Sequence, residues 1–570
     1  MSVVRTIRRR APVEPGAWPE HVPPLLRRIH AARGALSAEQ AQPRLAQLHP
    51  PDALGGLDAA TALLADAIAR DRHIVVVGDF DCDGATACAV GVRGLRLLGA
   101  RRASHAVPNR MVHGYGLSPG LVDDLAALQP ELLVTVDHGI ACHAGIAAAK
   151  ARGWQVLVTD HHLPGEVLPP ADAIVNPNLR GDGFPSKALA GVGVMFYVLL
   201  ALRKQLRARA AFAQGEPDLS VLLDLVAVGT IADLVPLDAN NRALVGAGLR
   251  RLRAGQGCAG LQALIEVTGR DARTLGAGDV GYAIAPRINA AGRLEDMALG
   301  IECLTCDEPA RARELAQVLH GINAERQGVQ QQMVDEAEAE LARIALDGAL
   351  PPVLCLFDPE WHPGVVGLVA SRLKERVHRP VIAFAPSEPG STQLRGSARS
   401  IPGLHIRDVL AAVDSAQPDL IGRFGGHAMA AGMSLALERL PRFEDAVRSH
   451  VGRMLDPGFL HAEILSDGEL AAHECDRRHA ELLRDGGPWG QGYPEPLFDG
   501  VFALRGWRVV GERHLKLELD GWGRRVNAIE FGGWRGEPPP PRLRIAFRLE
   551  PDDYRGGDAV QLVVVHREAA

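Results

Sequence analysis

Three aspartates crowd five positions in the segment VVVGDFDCDG, residues 75–84. Asp79, Asp81 and Asp83 alternate, and a glycine follows them. Carboxylates this close repel one another unless a cation lies between them, although an acidic loop in solvent would tolerate the spacing. A calcium EF-hand begins with the same D-x-D-x-D-G pattern and needs a glutamate at its twelfth position. That position is Val90, and a buried strand precedes the loop where the motif needs a helix, so the EF-hand is excluded.

Two further segments place ionisable side chains directly after short apolar runs. VTVDHG contains Asp137 and His138, and VTDHH contains Asp160, His161 and His162. A strand-end aspartate often only caps the next helix. The carboxyl ends of parallel strands, however, share one edge of the sheet, where open α/β folds bind their ligands. We therefore expect these side chains to meet the three aspartates of the first segment in one site.

The segment VLLDLVAVGTIADLVPL contains two more aspartates in nearly apolar surroundings. Asp224 would be buried there, and an unpaired buried carboxylate costs several kcal/mol unless it becomes neutral. A bond to a metal ion would remove that cost, so Asp224 is a candidate ligand. The role of Asp233 stays open between a helix end or turn and a position that supports the ligands from behind.

Carboxylates combined with imidazole favour Mn²⁺ or Mg²⁺, and no cysteine among the candidates calls for zinc. So many acids indicate two ions about 3.5–4 Å apart, bridged by one carboxylate. Such a pair suits phosphoryl chemistry, because it lowers the pKa of a water molecule and stabilises the leaving oxygen.

The strands and helices that would carry these residues alternate along the chain. Between about residues 60 and 250, short apolar strands such as HIVVV and QVLVT are separated by amphipathic helices. This pattern predicts an α/β domain whose parallel sheet is covered on both faces. A second, smaller α/β region spans roughly residues 350–450, and a proline-free stretch between residues 310 and 350 predicts one long helix, or two. The last hundred residues alternate apolar with polar positions between glycine-rich turns, which predicts a small β-barrel.

Composition restricts the class of protein less than the motifs do. The 570 residues are too many for one core, and 47% hydrophobic with 23% charged residues is typical of globular proteins. The net charge of −6 gives no general signature of nucleic-acid binding but leaves room for a local basic groove. No apolar run reaches the length of a membrane span, and the basic start lacks the apolar core of a secretory signal. Eight scattered cysteines favour free thiols and a cytoplasmic location.

The order of the motifs resembles a known family. DFDCDG, VDHG and DHH resemble the motifs of the DHH phosphoesterases. Six further segments are similar to the RecJ single-strand-specific exonucleases, in the same order: PNRMVHGYGL (108–117), APRINAAGR (285–293), WHPGVVGLVASRL (361–373), RGSARS (395–400), RFGGHAMAAG (423–432) and WGQGYPEPLF (489–498). The resemblance covers about residues 45–570 and implies a DHH domain, a connecting helix, a DHH-associated domain and an OB-like barrel.

The resemblance also implies roles for individual residues. It assigns the metal ligands Asp79, Asp81, Asp83, Asp137, His161 and Asp224, with Asp137 as the bridge. His162 would face the scissile phosphate, and Asp160 would orient a histidine from behind. The residues that would grip the nucleic-acid backbone or its 5′ end are Arg110, Arg287, Asn289, Ser397, Arg399 and His427. In the barrel, Trp507, Trp522 and Phe531 could stack bases beside Arg524 and Arg525, although core packing is the commoner fate of such rings.

The activity implied by the resemblance is 5′-to-3′ degradation of single-stranded DNA to 5′-mononucleotides with two divalent ions. Implied partners are single-stranded DNA, a single-strand-binding protein and a helicase, with the chain acting as a monomer away from membranes. Two alternatives remain: a related phosphodiesterase acting on short oligonucleotides or cyclic dinucleotides, and a non-catalytic replication scaffold. We expect domains at 1–45 (extension), 46–300 (catalytic), 301–348 (connecting helix), 349–455 (substrate-binding) and 456–570 (barrel).

Overall fold

The computed structural model describes residues 5–110, 112–213, 215–346 and 350–570. The chain divides into two compact units. The larger unit comprises Arg10–Asn323 and Asp467–Ala570, and the smaller unit comprises the residues up to Arg9 together with Ala324–Ser466. Some predicted features lie partly outside the described residues: positions 1–4 of the extension, position 111 of PNRMVHGYGL, and positions 347 and 348 of the connecting helix.

The strands of the described residues are short in the first sheet and longer in the last one. In chain order they are β1 (Arg5–Arg9), β2 (Ile74–Val77), β3 (Ala103–Ala106), β4 (Leu132–Val136), β5 (Gln155–Thr159), β6 (Ala173–Val175), β7 (Leu354–Phe357), β8 (Val381–Pro386), β9 (Gln393–Arg399), β10 (Arg423–Gly426), β11 (Ala430–Ala436), β12 (Ala462–Ser466), β13 (Phe498–Val510), β14 (His514–Gly521), β15 (Arg524–Glu530), β16 (Arg542–Pro551) and β17 (Val560–Ala569).

The α-helices of the described residues are, in chain order, α1 (Pro24–Ala31), α2 (Ala38–Ala41), α3 (Leu57–Ala69), α4 (Cys82–Leu97), α5 (Pro119–Leu125), α6 (His143–Ala151), α7 (Gly191–Ala208), α8 (Leu223–Ala232), α9 (Ala239–Arg253), α10 (Ala259–Thr268), α11 (Ala277–Asp279), α12 (Ala285–Leu294), α13 (Ala298–Thr305), α14 (Pro309–Leu346), α15 (Val366–Val377), α16 (Ile406–Ala416), α17 (Leu440–Met454) and α18 (Arg477–Asp485). A π-helical turn, Val280–Ile284, lies between α11 and α12. Among these helices, none has both the length and the hydropathy that a membrane crossing requires.

A five-stranded parallel sheet in the order β3-β2-β4-β5-β6 forms the centre of the larger unit. Its central strands are runs of β-branched and aliphatic residues, and β2 and β4 are buried along their whole length. Such runs are typical of a sheet with helices on both faces. Because β2, β4 and β5 are parallel neighbours, the residues that follow Val77, Val136 and Thr159 all emerge at the same edge.

A closed barrel in the order β13-β14-β15-β17-β16 completes the larger unit. Its core contains Phe498 and Phe547, and helix α1 adds Leu25, Leu26 and Ile29 to the same cluster. Part of the predicted N-terminal extension therefore packs on the barrel, a contact that the sequence did not indicate.

The smaller unit contains a five-stranded mixed sheet in the order β10-β11-β9-β8-β7, and β1 pairs in parallel with β12. Helix α14 runs without interruption for 38 residues and contributes to both units, so the predicted linker is one helix. The predicted fold class is confirmed: a parallel-sheet domain, a long helix, a second α/β domain and a barrel. The boundaries at residues 45, 300, 348 and 455 remain predictions.

Candidate metal centre

The edge of the parallel sheet gathers the acidic residues that the motifs predicted. Asp137 and Asp160 directly follow β4 and β5, and Asp79 lies two residues beyond the end of β2. Asp81 caps α4, because its Oδ1 accepts a hydrogen bond from the Gly84 amide at 2.9 Å. The cap starts the helix at Cys82 and puts Asp83 in its first turn.

Three groups of ligand atoms lie at this edge, and within each group the atoms are less than 4.8 Å apart. They are Asp137 with His161 and His162, Asp83 with His161 and Asp233, and Asp79 with Asp81 and Asp137. The Nε2 atom of His161 lies 3.1 Å from Oδ1 of Asp137 and 3.5 Å from Oδ2 of Asp233. Asp137 belongs to two of the groups, as a bridging carboxylate would.

The carboxyl groups of this cluster are buried and crowded. Burial, followed by the charge of Asp81, raises the pKa of Asp79 to about 8 and that of Asp83 to about 7. Burial and the neighbouring carboxylates raise the pKa of Asp137 and Asp233 well above the usual range. Among the described residues, nothing donates a hydrogen bond to Oδ1 of Asp79 or to Oδ2 of Asp233. Buried oxygens of this kind suit hard divalent cations, so the donor set fits Mn²⁺ or Mg²⁺.

Asp83 is held by the start of another helix. Its two oxygens accept hydrogen bonds from the amides of Gly191 at 2.6 Å and Val192 at 3.0 Å, in the first turn of α7. The partial positive charge of a helix N-terminus stabilises an anion there. A Cβ atom at Gly191 would lie 2.5 Å from Cβ of Asp137, and one at Gly229 would lie 2.8 Å from Oδ1 of Asp83. Glycine is therefore required at both positions.

The backbone of Asp137 also takes an unusual conformation, with φ at 64° in the left-handed region. Aspartate tolerates this region better than most residues, yet the conformation is strained. The glycine two residues later, Gly139, has φ at 120°. The chain thus turns sharply at the end of β4, and the Asp137 carboxylate stays at the edge of the sheet.

His162 is oriented by Asp160. Oδ1 of Asp160 accepts hydrogen bonds from Nδ1 of His162 at 2.8 Å and from its amide at 3.0 Å, and Oδ2 accepts from the Ile140 amide at 2.9 Å. Burial disfavours the charged form of both side chains, but the hydrogen bonds between them and to the backbone have the larger effect on the two pKa values. They hold the pKa of Asp160 well below its usual range and raise the pKa of His162. Nδ1 of His162 therefore keeps its proton, and the orientation of the imidazole ring is fixed.

The placement of Asp224 does not support its prediction as a metal ligand. This residue lies in the first turn of α8, and Asp233 follows the last turn, roughly 13 Å further along the axis. The Asp224 carboxylate is buried and accepts a hydrogen bond from the Cys258 amide at 2.6 Å, away from the cluster. Asp233, rather than Asp224, lies in the cluster beside Asp83 and His161. The sequence offered no local signal for this choice, because both aspartates lie at ends of the same apolar helix.

Two of the predicted substrate contacts in the larger unit lie at a cleft of about 160 Å³ beside the cluster. The cleft is lined by Asp81, Cys82, Asp83, Arg110, Ala232, Asp233, Asn289 and Arg293. The guanidinium carbon of Arg110 lies 4.0 Å from the ring centre of Phe80. Oδ1 of Asn289 accepts a hydrogen bond from the Cys82 amide at 2.9 Å. Asn289 therefore also holds the loop that carries Asp81 and Asp83.

Arg287 points to a different neighbour. Its Nε lies 3.2 Å from Nδ1 of His320 on α14, and its Nη1 bonds to the Ala283 carbonyl in the π-helical turn. It is not among the residues that line the cleft. A contact between Arg287 and the substrate is thus not supported by its placement.

The remaining predicted contacts belong to the smaller unit. Ser397 and Arg399 lie on β9, and Nη1 of Arg399 donates to Oγ of Ser397 at 2.8 Å. His427 is exposed in the turn that joins β10 to β11, where its amide donates to the Ala430 carbonyl at 2.8 Å. The structure brings Ser397 and Arg399 into direct contact and places His427 on a neighbouring part of the same sheet.

A parallel sheet whose strand ends gather buried aspartates and a DHH histidine pair defines a metal-dependent phosphoesterase. Residues 73–230 match the model of the DHH family, N-terminal domain, residues 350–453 match the DHHA1 domain, and residues 466–566 match the RecJ OB domain. The single-stranded-DNA-specific exonuclease RecJ of Salmonella typhimurium is 48% identical over 99% of this chain and 99% of its own length. The chain belongs to the RecJ family of exonucleases.

Two crystal structures of RecJ from Thermus thermophilus have a similar fold. The complex with Mn²⁺ is 34% identical with a TM-score of 0.78, and it covers 96% of this chain and 76% of that one. The complex with Mg²⁺ is 32% identical with a TM-score of 0.74, covering 96% and 75%. The similarity extends over the sheet domain, the second α/β domain and the barrel.

Replacing Asp233 with Asn should weaken Mn²⁺ binding about 10–100-fold, because a charged oxygen is lost from the cluster. Asp224→Asn is the matched control, since the same substitution at the other end of α8 should leave Mn²⁺ affinity within about threefold of the original. Isothermal titration calorimetry of the two variants measures both values. Equal losses, or a loss confined to Asp224→Asn, would contradict the corrected ligand set.

Mn²⁺ should also stabilise the protein, and more strongly at pH 8 than at pH 6. The raised pKa values of Asp79 and Asp83, about 8 and about 7, mean that the folded metal-free protein loses stability as pH rises through this range. At pH 6 protons occupy these carboxyl groups and compete with the ion. At one fixed Mn²⁺ concentration, a hundredfold above the Kd at pH 8, the gain at pH 8 is about 2.7 kcal/mol and the gain at pH 6 is smaller. Thermal unfolding with Mn²⁺ or EDTA tests this, and an equal gain at both pH values would refute it.

Proposed function

We propose that the chain is an exonuclease that degrades single-stranded DNA from the 5′ end with two divalent ions, Mn²⁺ or Mg²⁺. The observation that carries the proposal is the cluster of buried aspartates and histidine at one sheet edge, in a member of the RecJ family. The 5′ polarity and the release of 5′-mononucleotides are supported by the motif resemblance described above.

The residues that would hold the ions are Asp79, Asp81, Asp83, Asp137, His161 and Asp233. Bound there, divalent ions would neutralise the carboxylates, lower the pKa of a water molecule and stabilise charge on the phosphate. The helix start at Gly191 and the Asp81 cap keep these oxygens in place before substrate arrives. A site assembled in advance favours the transition state, because little reorganisation remains to be done.

His162 and Arg110 supply positive charge beside the cluster. Asp160 keeps His162 protonated at Nδ1 and favours the imidazolium form, so Nε2 can donate to a phosphate oxygen. Arg110 rests over the Phe80 ring and lines the cleft, where a guanidinium can bind a second phosphate oxygen. Asn289 holds the loop that carries Asp81 and Asp83 through its Oδ1. We propose that its amide nitrogen donates to the substrate.

We propose that Ser397, Arg399 and His427 of the smaller unit bind the DNA backbone. The close pair of Ser397 and Arg399 supports this assignment, since a hydroxyl and a guanidinium side by side suit a phosphate. Arg287 is left out of the substrate contacts because it bonds to His320 and Ala283.

The barrel offers a separate surface for single-stranded DNA. A cavity of about 200 Å³ lies over β13, β14 and β15 and is lined by Trp507, Arg508, Lys516, Glu518, Asn527 and Arg555, among others. Trp507 stacks on Trp534 with ring centres 5.4 Å apart and is 40% exposed. Trp522 instead packs against Phe502 and Phe547 in the core. An exposed ring beside cations is suited to stacking a base, so Trp507 is the better candidate.

Protein partners, oligomeric state and cellular location belong to the same proposal. A single-strand-binding protein and a helicase are the partners that the resemblance implies, and we propose that the enzyme acts as a monomer in the cytoplasm. All eight cysteines are free thiols, which supports a reducing compartment.

With Mn²⁺, the enzyme should degrade a long single strand and release label from its 5′ end before its 3′ end, while a blunt duplex stays intact. Asp137→Ala should reduce this activity by about 100-fold or more, because the shared carboxylate is lost. Asp58→Ala, an exposed aspartate on α3, is the matched control and should keep full activity. Preference for a dinucleotide would favour the small-substrate alternative, and activity that survives Asp137→Ala would place the site elsewhere. No hydrolysis by the unaltered chain would favour the scaffold.

Trp507→Ala should weaken binding of a single-stranded oligonucleotide by about 1–3 kcal/mol, the usual value of one stacked base. Fluorescence anisotropy in EDTA measures Kd without cleavage. Phe531→Ala is the control: this ring is 63% exposed but does not line the cavity. Equal losses for both variants would show that the cavity has no special role.

A further inference from the structure

Among the described residues, the guanidinium of Arg399 receives its hydrogen-bond partners from neutral groups. Its Nε donates to Oγ of Ser371 at 3.1 Å, and its Nη1 donates to Oγ of Ser397 and to the Ala398 carbonyl, each at 2.8 Å. These hydrogen bonds use two of the three guanidinium nitrogens and determine the plane of the guanidinium group.

Among the described residues, no carboxylate lies within ion-pair distance of Arg399. Burial lowers the pKa of Arg399, and no acidic neighbour opposes this effect. A cation removed from water is costly unless an anion pairs with it. The adjacent helix start offers no acid either, because the first turn of α15 contains no acidic residue and Val365 provides no side-chain cap. The protein thus holds a positive charge ready for an anion from outside.

The two serines that contact Arg399 differ in the direction of their own hydrogen bonds. Oγ of Ser371 donates to the Gly367 carbonyl at 3.0 Å, so its proton is used and only its lone pairs face Arg399. Within the described part of the chain, the hydroxyl of Ser397 accepts from Arg399 and donates to nothing. A serine hydroxyl has one proton to give. Ser397 can therefore donate to an anion, whereas Ser371 can only hold the arginine.

Gly367 keeps the space in which the guanidinium lies. A Cβ atom at this position would lie 2.8 Å from Nη2 of Arg399 and 2.9 Å from Oγ of Ser397. Gly367 is the second residue of α15, where alanine would be the better helix former. The close approach of Arg399 gives a physical reason for glycine here.

We propose that Ser371 is a positioning residue that aims Arg399 at a backbone phosphate of the single strand, and that Gly367 preserves the room this requires. The inference rests on the proposed function, because Arg399 is a substrate contact only there. Ser371 itself touches no substrate: it acts through Nε of Arg399, and its orientation is set by the Gly367 carbonyl.

Ser371→Ala should raise KM for a single-stranded oligonucleotide about three- to tenfold and leave kcat within about twofold, since one hydrogen bond to a charged group is lost. Ser371→Thr keeps the hydroxyl and should restore KM to within about twofold of the original. The salt dependence of KM should become less steep in Ser371→Ala, as it does when a phosphate contact weakens. A purely structural role would alter the melting temperature but not this slope.

The decisive comparison uses Arg399→Ala. If Ser371 acts through Arg399, then adding Ser371→Ala to Arg399→Ala should not raise KM further. A further rise of the same size as in the single variant would overturn the proposal. If Arg399→Ala leaves KM unchanged while the strand is still degraded, the positioning role fails and the proposed function stands. If the unaltered enzyme degrades no single strand, the proposed function itself fails.

Gly367→Ala tests the same arrangement without removing a hydrogen bond. Alanine is a better helix former than glycine, so the melting temperature should not fall through helix propensity. KM should nevertheless rise at least about threefold, because the new methyl group displaces Arg399 or Ser397. An unchanged KM in both Gly367→Ala and Ser371→Ala would refute the proposal, even if one of the two variants folded poorly.

Discussion

The repulsion between buried carboxylates at one sheet edge is the constraint on which the rest of this structure depends. Oxygens of Asp79, Asp81 and Asp137 lie within 4.8 Å of one another. Asp83 and Asp233 form a second group with His161, which also lies close to Asp137. In a medium of low dielectric constant such charges cannot remain together without compensation. Part of the compensation is built into the chain: helix amides, a cap and two cationic side chains. Divalent cations are required to neutralise the negative charge that remains.

Glycine residues allow the carboxylates to lie this close together. A Cβ atom at Gly84 would lie 2.5 Å from the Asp79 amide nitrogen, and one at Gly292 would lie 1.9 Å from the Phe80 carbonyl oxygen. Together with Gly191 and Gly229, these positions let α4, α7, α8 and α12 lie close to the residues of the cluster and their neighbours. Any larger side chain would move a ligand by more than a metal site tolerates. The chemistry of the aspartates is therefore inseparable from the glycines around them.

Each of the two units holds charge that its described residues do not fully neutralise, negative in the larger unit and positive in the smaller one. The larger unit concentrates negative charge that only cations can neutralise, while the smaller unit holds Arg399 among neutral partners without a counter-ion among the described residues. We propose that an anionic single strand, processed with divalent ions, satisfies the requirement of each unit. The barrel presents a third kind of surface, where the exposed ring of Trp507 lies beside Arg508 and Lys516. Stacking and charge together are how single strands are bound without regard to sequence.

Local sequence patterns were enough to predict the sheet, the order of the domains and most of the cluster. Buried β-branched runs followed by acidic residues define parallel strand ends, and that local pattern already brings Asp79, Asp83, Asp137 and His161 to one edge. It could not choose between Asp224 and Asp233, because both lie in one apolar segment and only packing decides which end of its helix faces the ligands.

Tertiary structure also decided the partners of Arg287, Asn289 and Trp522. Each side chain has a residue type that suits nucleic acid, and nothing local distinguishes such a residue from one that bonds within the protein. The roles of Ser371 and Gly367 became visible only when β9 and α15 were placed together. The physical reason is that hydrogen-bond direction and steric room depend on neighbours that are distant in the chain, whereas strand and helix periodicity depend on neighbours within a few residues.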